Sequence, residues 1–448
     1  MESTRVRPIN SFPTEILTRV FVLACAMRPC SVSLSDFRDG PTFTNKPVII
    51  SHVCSYWRHI AITSTLLWTH IDLDLSQFED GHLPPRVETY LERAGGQLLD
   101  IHIIYPLSLI GASSLAQDSF FQLLELISPR AWRMTMEMTD VVPNIDLCQR
   151  TISTVLNNCV PGTLAHLSIQ IYNTFHSPED PIPIPEELET RVEALGLPIT
   201  VLQLRDFFPL WTSHVYHGLT ELRLKSSRVS VPQLALMAIL KMSPKLRILE
   251  IDILIREVTQ IHDPVMLEDL EVLIAENYCV PRQTHVLSMI QPGSKPLTLT
   301  LGVYSLRIIL QSTSSSHSDE VINHFFSRSN ITRLIVHALK NYADVANLLA
   351  LIPTVQTLAL HKPILTRVVP NESTLPPAFA LDTLYLTDPV NPRVTLPTLE
   401  RVVQRHSVRK FIVWGESEVD AILDKLSTMC PHVMVISHQE ANPIKEWI

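Results

Sequence analysis

Glycine is scarce in this chain, 11 residues in 448, and none of the 11 falls into GxGxxG, GxxxxGK[ST] or GxSxG. Loops that cradle phosphate need glycine so that backbone N–H groups can approach the ligand, and a nucleophile elbow needs it for a sharp turn. An enzyme built on either device is therefore not expected. Cysteine is also sparse: the seven residues (25, 30, 54, 148, 159, 279 and 430) are odd in number and scattered among apolar neighbours. That usage argues against a disulfide framework and suits reduced, mostly buried thiols in the cytosol. No apolar run approaches the roughly 18 residues of a membrane-spanning helix, so none is expected. A basic excess is missing too: 36 Lys and Arg against 45 Asp and Glu give a net charge of −9. Such a chain has no general attraction for nucleic acid or an anionic membrane, and neither is expected as a partner. The opening MESTRVRPINSF has no apolar core and no small-residue cleavage site, so a secretory signal is not expected and a cytoplasmic or nuclear location is.

What the sequence does have is apolar residues, 46% of the total, and 33 prolines that divide them into segments. NSFPTEILTRVFVLACA (10–26) opens with polar residues, a proline suited to a first helical turn and then Glu15, whose charge favours a helix N-terminus. Ile16, Leu17, Val20, Phe21 and Ala24 follow at i, i+1, i+4, i+5 and i+8, one face of a helix that is expected to bury. Ile50, Val53, Cys54, Trp57 and Ala61 recur at helical spacing and predict a second amphipathic helix. Next, STLLWTHIDLDL carries Trp68, Ile71, Leu73 and Leu75 into an alternating, strand-like run, and the proline-bearing stretch 28–47 reads as a loop. Two short helices bury too little surface to be stable alone, which implies a partner.

The order FPTEILTRVF, VCSYWRHIA and LLW, within residues 9–72, resembles the F-box, in particular the F-box-like form of large fungal families. Phe12 stands where that family usually has leucine, and the 28–47 loop is longer than in compact members. The resemblance implies that this helical unit docks on a Skp-type adaptor, which joins a cullin and a RING subunit in an SCF ubiquitin ligase. Carried over by position, the implied adaptor contacts are Phe12, Pro13, Ile16, Leu17, Phe21, Val53, Cys54, Trp57, Ile60 and Trp68. Each of them is also a residue type that packs a domain's own core. Cys25 and Cys30 with His52 and Cys54 have only their spacing to suggest zinc, and no metal is expected there.

Beyond residue 98 the phrase L-x-x-L-x-L recurs. It appears as Leu164/Leu167/Ile169, Leu219/Leu222/Leu224, Leu246/Leu249/Ile251, Leu267/Leu270/Val272, Ile331/Leu334/Val336, Val355/Leu358/Leu360, Leu381/Leu384/Leu386 and Val408/Phe411/Val413. The later phrases begin at 331, 355, 381 and 408, intervals of leucine-rich-repeat length. Helical patterns lie between them in VPQLALMAILKMSP, YADVANLLALIP, TLERVVQRH and EVDAILDKLSTMCP, several ending at proline. Segments 98–163 and 285–330 fit the phrase poorly, and PEDPIPIPEE and SSSHSD read as surface loops. This region resembles the irregular leucine-rich repeats that follow fungal F-boxes, although the consensus asparagine or cysteine is mostly missing.

The expected fold is therefore α/β: a small all-α F-box-like domain (9–72), connecting or first irregular repeats (73–163), a leucine-rich-repeat-like solenoid (164–438) with a parallel sheet on its concave face, and a tail (439–448). Strand residues alternating with the leucines would face a bound protein. They are Arg223, Lys225, Glu250, Asp252, Glu271, His337, His361, Tyr385 and Trp414, of mixed charge. His214 and His217 lack an HExxH frame and read as a surface turn. The expected function is non-enzymatic, with no cofactor: the substrate-recognition subunit of an SCF-type ligase, binding the adaptor at one end and an unidentified target protein through the repeats. The alternative is a repeat scaffold for protein–protein contacts without ligase assembly.

Overall fold

A computed structural model describes residues 9–26, 45–78, 82–105, 114–140, 145–173, 186–196, 198–257, 263–275, 284–302, 317–337, 342–363, 376, 378–388, 396–415, 425–437, 440 and 442–447. The chain divides into two compact units, Met1–Val215 and Tyr216–Ile448. No described helix is long and apolar enough to cross a membrane.

The first unit opens with three helices, α1 (Thr14–Ala26), α2 (Lys46–Ser51) and α3 (Ser55–Thr63), and a 3-10 turn at Thr65–Trp68. The single helix expected across 50–61 is broken. His52 and Val53 close α2, and Cys54 caps α3, its Sγ accepting the Trp57 N–H at 3.4 Å. Cys54 therefore sits at a helix start and not on an apolar helix face. Five parallel strands follow in spatial order: β1 (His70–Asp74), β2 (Leu99–Tyr105), β3 (Ala131–Asp140), β4 (His166–Asn173) and β5 (Val201–Arg205). The helices between them are α4 (Pro85–Ala94), α5 (Ser114–Ile127), α6 (Ile145–Asn158) and α7 (Glu186–Leu195). Strand and helix thus alternate through segment 98–163, where the sequence phrase is hard to see. The register explains why: Ile71, Ile101, Met134, Leu167 and Leu202 stand side by side, as do Leu73, Ile103, Met136, Ile169 and Leu204, and all ten are buried. Isoleucine and methionine fill the leucine positions here.

The second unit repeats the arrangement. Its parallel strands lie in the order β6 (Glu221–Pro232), β7 (Ile248–Arg256), β9 (Val272–Ala275), β11 (Leu297–Leu301), β12 (Ile331–His337), β13 (Thr357–His361), β14 (Thr383–Thr387), β15 (Lys410–Trp414) and β16 (His432–Ile436). β8 (Val265–Leu267) and β10 (Ile290–Pro292) pair separately. Helices α8 (Gln233–Met242), α9 (Thr284–Met289), α10 (His317–Arg328), α11 (Tyr342–Leu351) and α12 (Leu396–Arg405) intervene. The 285–330 segment, a poor match to the phrase, supplies α9, β10, β11 and α10. Leucines of seven of the eight phrases occupy equivalent places on strands. The eighth is shifted: Leu249 pairs with Leu273, so the phrase there is Leu270/Leu273/Ala275 and not Leu267/Leu270/Val272. The helices expected at 231–244, 342–353 and 398–406 form; the first half of EVDAILDKLSTMCP (418–424) and most of PEDPIPIPEE lie outside the described residues, and the last three residues of SSSHSD, expected as a loop, belong to α10.

Left-handed residues end several strands. Asp206, Glu257, Lys362 and Asp388, which directly follow β5, β7, β13 and β14, have φ of 56°, 55°, 47° and 49°. Such turns ordinarily favour glycine, so a chain with few glycines bears a cost of about 1–2 kcal/mol at each. The strained N–H is used: Lys362 donates to Thr387 O at 2.9 Å and Asp388 to Trp414 O at 3.1 Å, carrying the ladder one step past the strand.

Of the described cysteines, 148, 159 and 430 are buried and 25 and 54 half-buried, all of them free thiols. Burial, only partly offset by the Arg191 charge, pushes the Cys159 thiol up to about 12. Mass spectrometry after brief native alkylation should find Cys54 modified and Cys159 untouched, with Cys159 reacting only in denaturant.

Candidate functional site

Two surfaces of the first unit and one of the second gather chemically distinctive side chains. In the helical start, α1 divides its apolar residues between two faces. Leu17 and Phe21 point inward, 1% and 2% exposed, and the Phe21 ring meets Trp57 at 4.7 Å. Ile16, Val20 and Leu23, at i, i+4 and i+7, form a row on an adjoining side of the helix and are 47%, 45% and 58% exposed. Ala24 is exposed too, so of the five residues on the face expected to bury the chain itself covers Leu17 and Phe21. Polar contacts fix the helices: Tyr56 Oη donates to Phe12 O (3.4 Å), Lys46 Nζ to the Ala24 and Cys25 carbonyls near the end of α1 (3.5 and 3.4 Å), and Arg58 Nε to Ser51 O (3.1 Å).

The implied adaptor contacts separate accordingly. Phe12, Pro13, Ile16 and Val53 are exposed, and Cys54 and Trp57 are half-buried. Leu17, Phe21, Ile60 and Trp68 are core. Trp68 is fully buried, its Nε1 donating to Ala61 O at 2.7 Å between Tyr90 and the Arg93 guanidinium. Val20, Leu23 and Ile49 (62% exposed) are apolar surface residues that positional carry-over did not name.

The second surface is the sheet face opposite the Ile71 and Leu73 rows, and the sequence reading missed it. Strand register places Asp72, His102, Thr135, Ser168 and Gln203 in one row, and His70, Asp100, Arg133 and His166 in the next. At its edge Asp72, 3% exposed, is surrounded. His70 Nε2 and His102 Nδ1 lie 3.1 and 3.2 Å from its Oδ1, and Arg86 Nη2 donates to its Oδ2 at 3.1 Å. His70 Nδ1 is 2.9 Å from Asp100 Oδ2, and His102 Nε2 is 3.9 Å from Glu137 Oε1. Burial alone would raise the Asp72 carboxyl, but the hydrogen bonds from His102 and His70 and their charge outweigh it and hold the group far below the usual carboxylate range. Burial raises Glu137, partly countered by His102. The available signal was the alternation in HIDLD, LDIHI and WRMTME, legible once isoleucine and methionine are admitted to the phrase.

The third surface holds the residues expected to face a target protein. Tyr385 lies between Ala359 and Ile412, and in the next row His337, His361, Thr387 and Trp414 stand side by side on consecutive strands, the two histidine rings 4.7 Å apart. Part of this face is occupied by the chain itself. Ile444 and Trp447 pack on Ile335, Ala359 and Tyr385, the Trp447 ring meets Tyr385 edge-on at 4.8 Å, and Trp414 Nε1 donates to Glu440 O at 3.1 Å. Further along, Glu250 is buried and receives Arg223 Nη1 at 3.2 Å and Lys225 Nζ at 2.6 Å, so these charges satisfy one another. Asp252 stands beside Lys225 in register. Glu271 does not belong here: it precedes β9 and pairs with Arg247 and Lys295, and the strand position it was expected to hold is Ile274.

His214 is an exposed 3-10 turn residue, as its sequence context suggested, and it pairs with Glu193. Cys30, one of the spacing-based zinc donors, lies outside the described residues, and among the described residues the donor cluster that assembles is His70, Asp72 and His102. No protein-family model matches the chain, and no curated protein matches it.

A carboxyl whose folded value is depressed contributes stability above its unfolded value, near pH 4, and that stability is lost as pH falls through the folded value. The Asp72 contribution should therefore be complete at pH 7 and drain away below about pH 4. In urea unfolding at pH 7, Asp72→Asn should lose about 3–5 kcal/mol, because two imidazoles and a guanidinium are left around a neutral amide. On the third surface, Tyr385→Ala should speed hydrogen exchange at the Lys445 and Trp447 amides, which donate to Asn442 O and Ile444 O, while β12 amides stay protected.

Proposed function

We propose that the chain is the substrate-recognition subunit of an SCF-type ubiquitin ligase, with residues 9–72 as an F-box-like adaptor-binding element and the strand–helix repeats as a leucine-rich-repeat-like solenoid for a target protein. The observation that supports this reading most is the exposed row Ile16, Val20 and Leu23 on a helix whose other face already has its core in Leu17 and Phe21. Apolar side chains in a row at that exposure are what a helix docked on a second protein presents. Phe12, Ile49 and Val53 add to the apolar surface of the same helical segment.

In this scheme the chain has no catalytic group. Adaptor, cullin and RING subunits hold a ubiquitin-carrying enzyme near the captured target, and the gain in rate comes from proximity. The target would meet the face carrying His337, His361, Tyr385 and Trp414, where aromatic side chains of the kind that anchor interfaces are concentrated. The scaffold alternative assigns the helical start to internal packing alone.

Co-expression with a Skp-type adaptor separates the two. The intact chain should co-purify with the adaptor, and Val20→Asp or Ile16→Asp should weaken binding about ten-fold or more while leaving thermal unfolding of the isolated chain unchanged. Leu17→Ala, a core change, should lower stability as well. Failure of the intact, folded chain to retain the adaptor would remove the ligase reading and leave the scaffold.

A further inference from the structure

Side chains from three neighbouring strands and one helix gather in the network around Asp72. The donor atoms His70 Nε2, Asp72 Oδ1 and His102 Nδ1 all lie within 4.8 Å of one another, and the two nitrogens are 3.1 and 3.2 Å from the oxygen. Ligands held at about 2.1 Å from a four- or six-coordinate ion stand roughly 3.0–3.4 Å apart, so the two nitrogen–oxygen spacings fit adjacent positions around one cation as well as the hydrogen bonds they form here. We propose that His70, Asp72 and His102 form a binding site for a divalent transition-metal ion of the zinc class.

The surroundings match that assignment. A metal-bound histidine ordinarily turns its second ring nitrogen to a carboxylate, which fixes the ring and makes the ligating nitrogen more basic. His70 does so here, its Nδ1 facing Asp100 at 2.9 Å, whereas His102 Nε2 stands 3.9 Å from Glu137, a charge neighbour beyond hydrogen-bond distance. Arg86 occupies Asp72 Oδ2, which leaves Oδ1 as the single ligand oxygen, and Arg133 Nε lies 3.7 Å from Asp100. Once the imidazoles are neutral, as ligation requires, three carboxylates and two guanidiniums leave an excess of one negative charge, which favours entry of a cation. Two imidazoles with one carboxylate suit borderline ions such as zinc or iron(II), not calcium or magnesium, which take oxygen donors. The His70 side chain is 20% exposed while Asp72 and His102 are 2% and 3%, so the approach is from the His70 side. Three ligands leave at least one position for water or for a group on a bound partner.

Cobalt(II) is the probe, because it takes zinc sites and reports its ligands in visible absorption. The full chain, stripped with chelator, should bind one equivalent of cobalt with ligand-field bands and without the near-ultraviolet band of thiolate ligation, and zinc should abolish the spectrum. Asp100→Asn, which changes the support of His70 and the charge beside Arg133 but removes no ligand, should weaken binding about 10- to 100-fold, and His70→Ala should abolish the bands while far-ultraviolet circular dichroism is retained. Absence of ligand-field bands with the folded wild-type chain, a thiolate signature, or unchanged cobalt affinity in folded His70→Ala would each overturn the assignment.

Discussion

Parallel strands that pair without stagger place each residue beside its counterpart on the next strand, and because side chains alternate, phase alone decides which residues become neighbours. In the first unit one phase collects Ile71, Ile101, Met134, Leu167 and Leu202 into a core row, and the other necessarily collects Asp72, His102, Thr135, Ser168 and Gln203. A one-residue slip would exchange the two sets, sending carboxylate and imidazole into the core. The same rule in the second unit puts Tyr385 beside Ala359 and Ile412, and His361 beside His337. Core, polar network and aromatic face are consequences of one pairing scheme.

The architecture was largely legible because leucine marks the phase so plainly in phrases such as Leu219/Leu222/Leu224. It was least legible where other apolar residues take leucine's place, as Met134 and Met136 do on β3, or where two leucine spacings compete. Leu267, Leu270 and Leu273 are evenly spaced, so periodicity could not choose between two frames; pairing of Leu273 with Leu249 could. That ambiguity placed Glu271 on a strand it precedes. The break between α2 and α3 was hidden for a different reason, since apolar spacing continues through His52 to Cys54 while the backbone stops and is recapped by a sulfur.

The candidate sites were legible in proportion to how local they are. Residues on one helix, such as Ile16 and Val20, could be assigned to an apolar face, but which half of that face closes on the core depends on Trp57 in another helix. The Asp72 network joins residues 70, 72, 86, 100, 102, 133 and 137, contributed by three strands and a helix. No spacing rule links them. Their proximity follows from register, and register is a property of the folded sheet.

The contact of Ile444 and Trp447 with Ile335, Ala359 and Tyr385 has a consequence for measured affinities. A segment held on its own chain competes at an effective concentration in the millimolar range, whatever the total protein concentration. Any molecule seeking the same three side chains first has to displace that tethered occupant. Its apparent dissociation constant is the intrinsic one divided by the fraction of molecules in the open form, so a chain shortened before Glu440 is the better reporter of how tightly this face can hold a ligand.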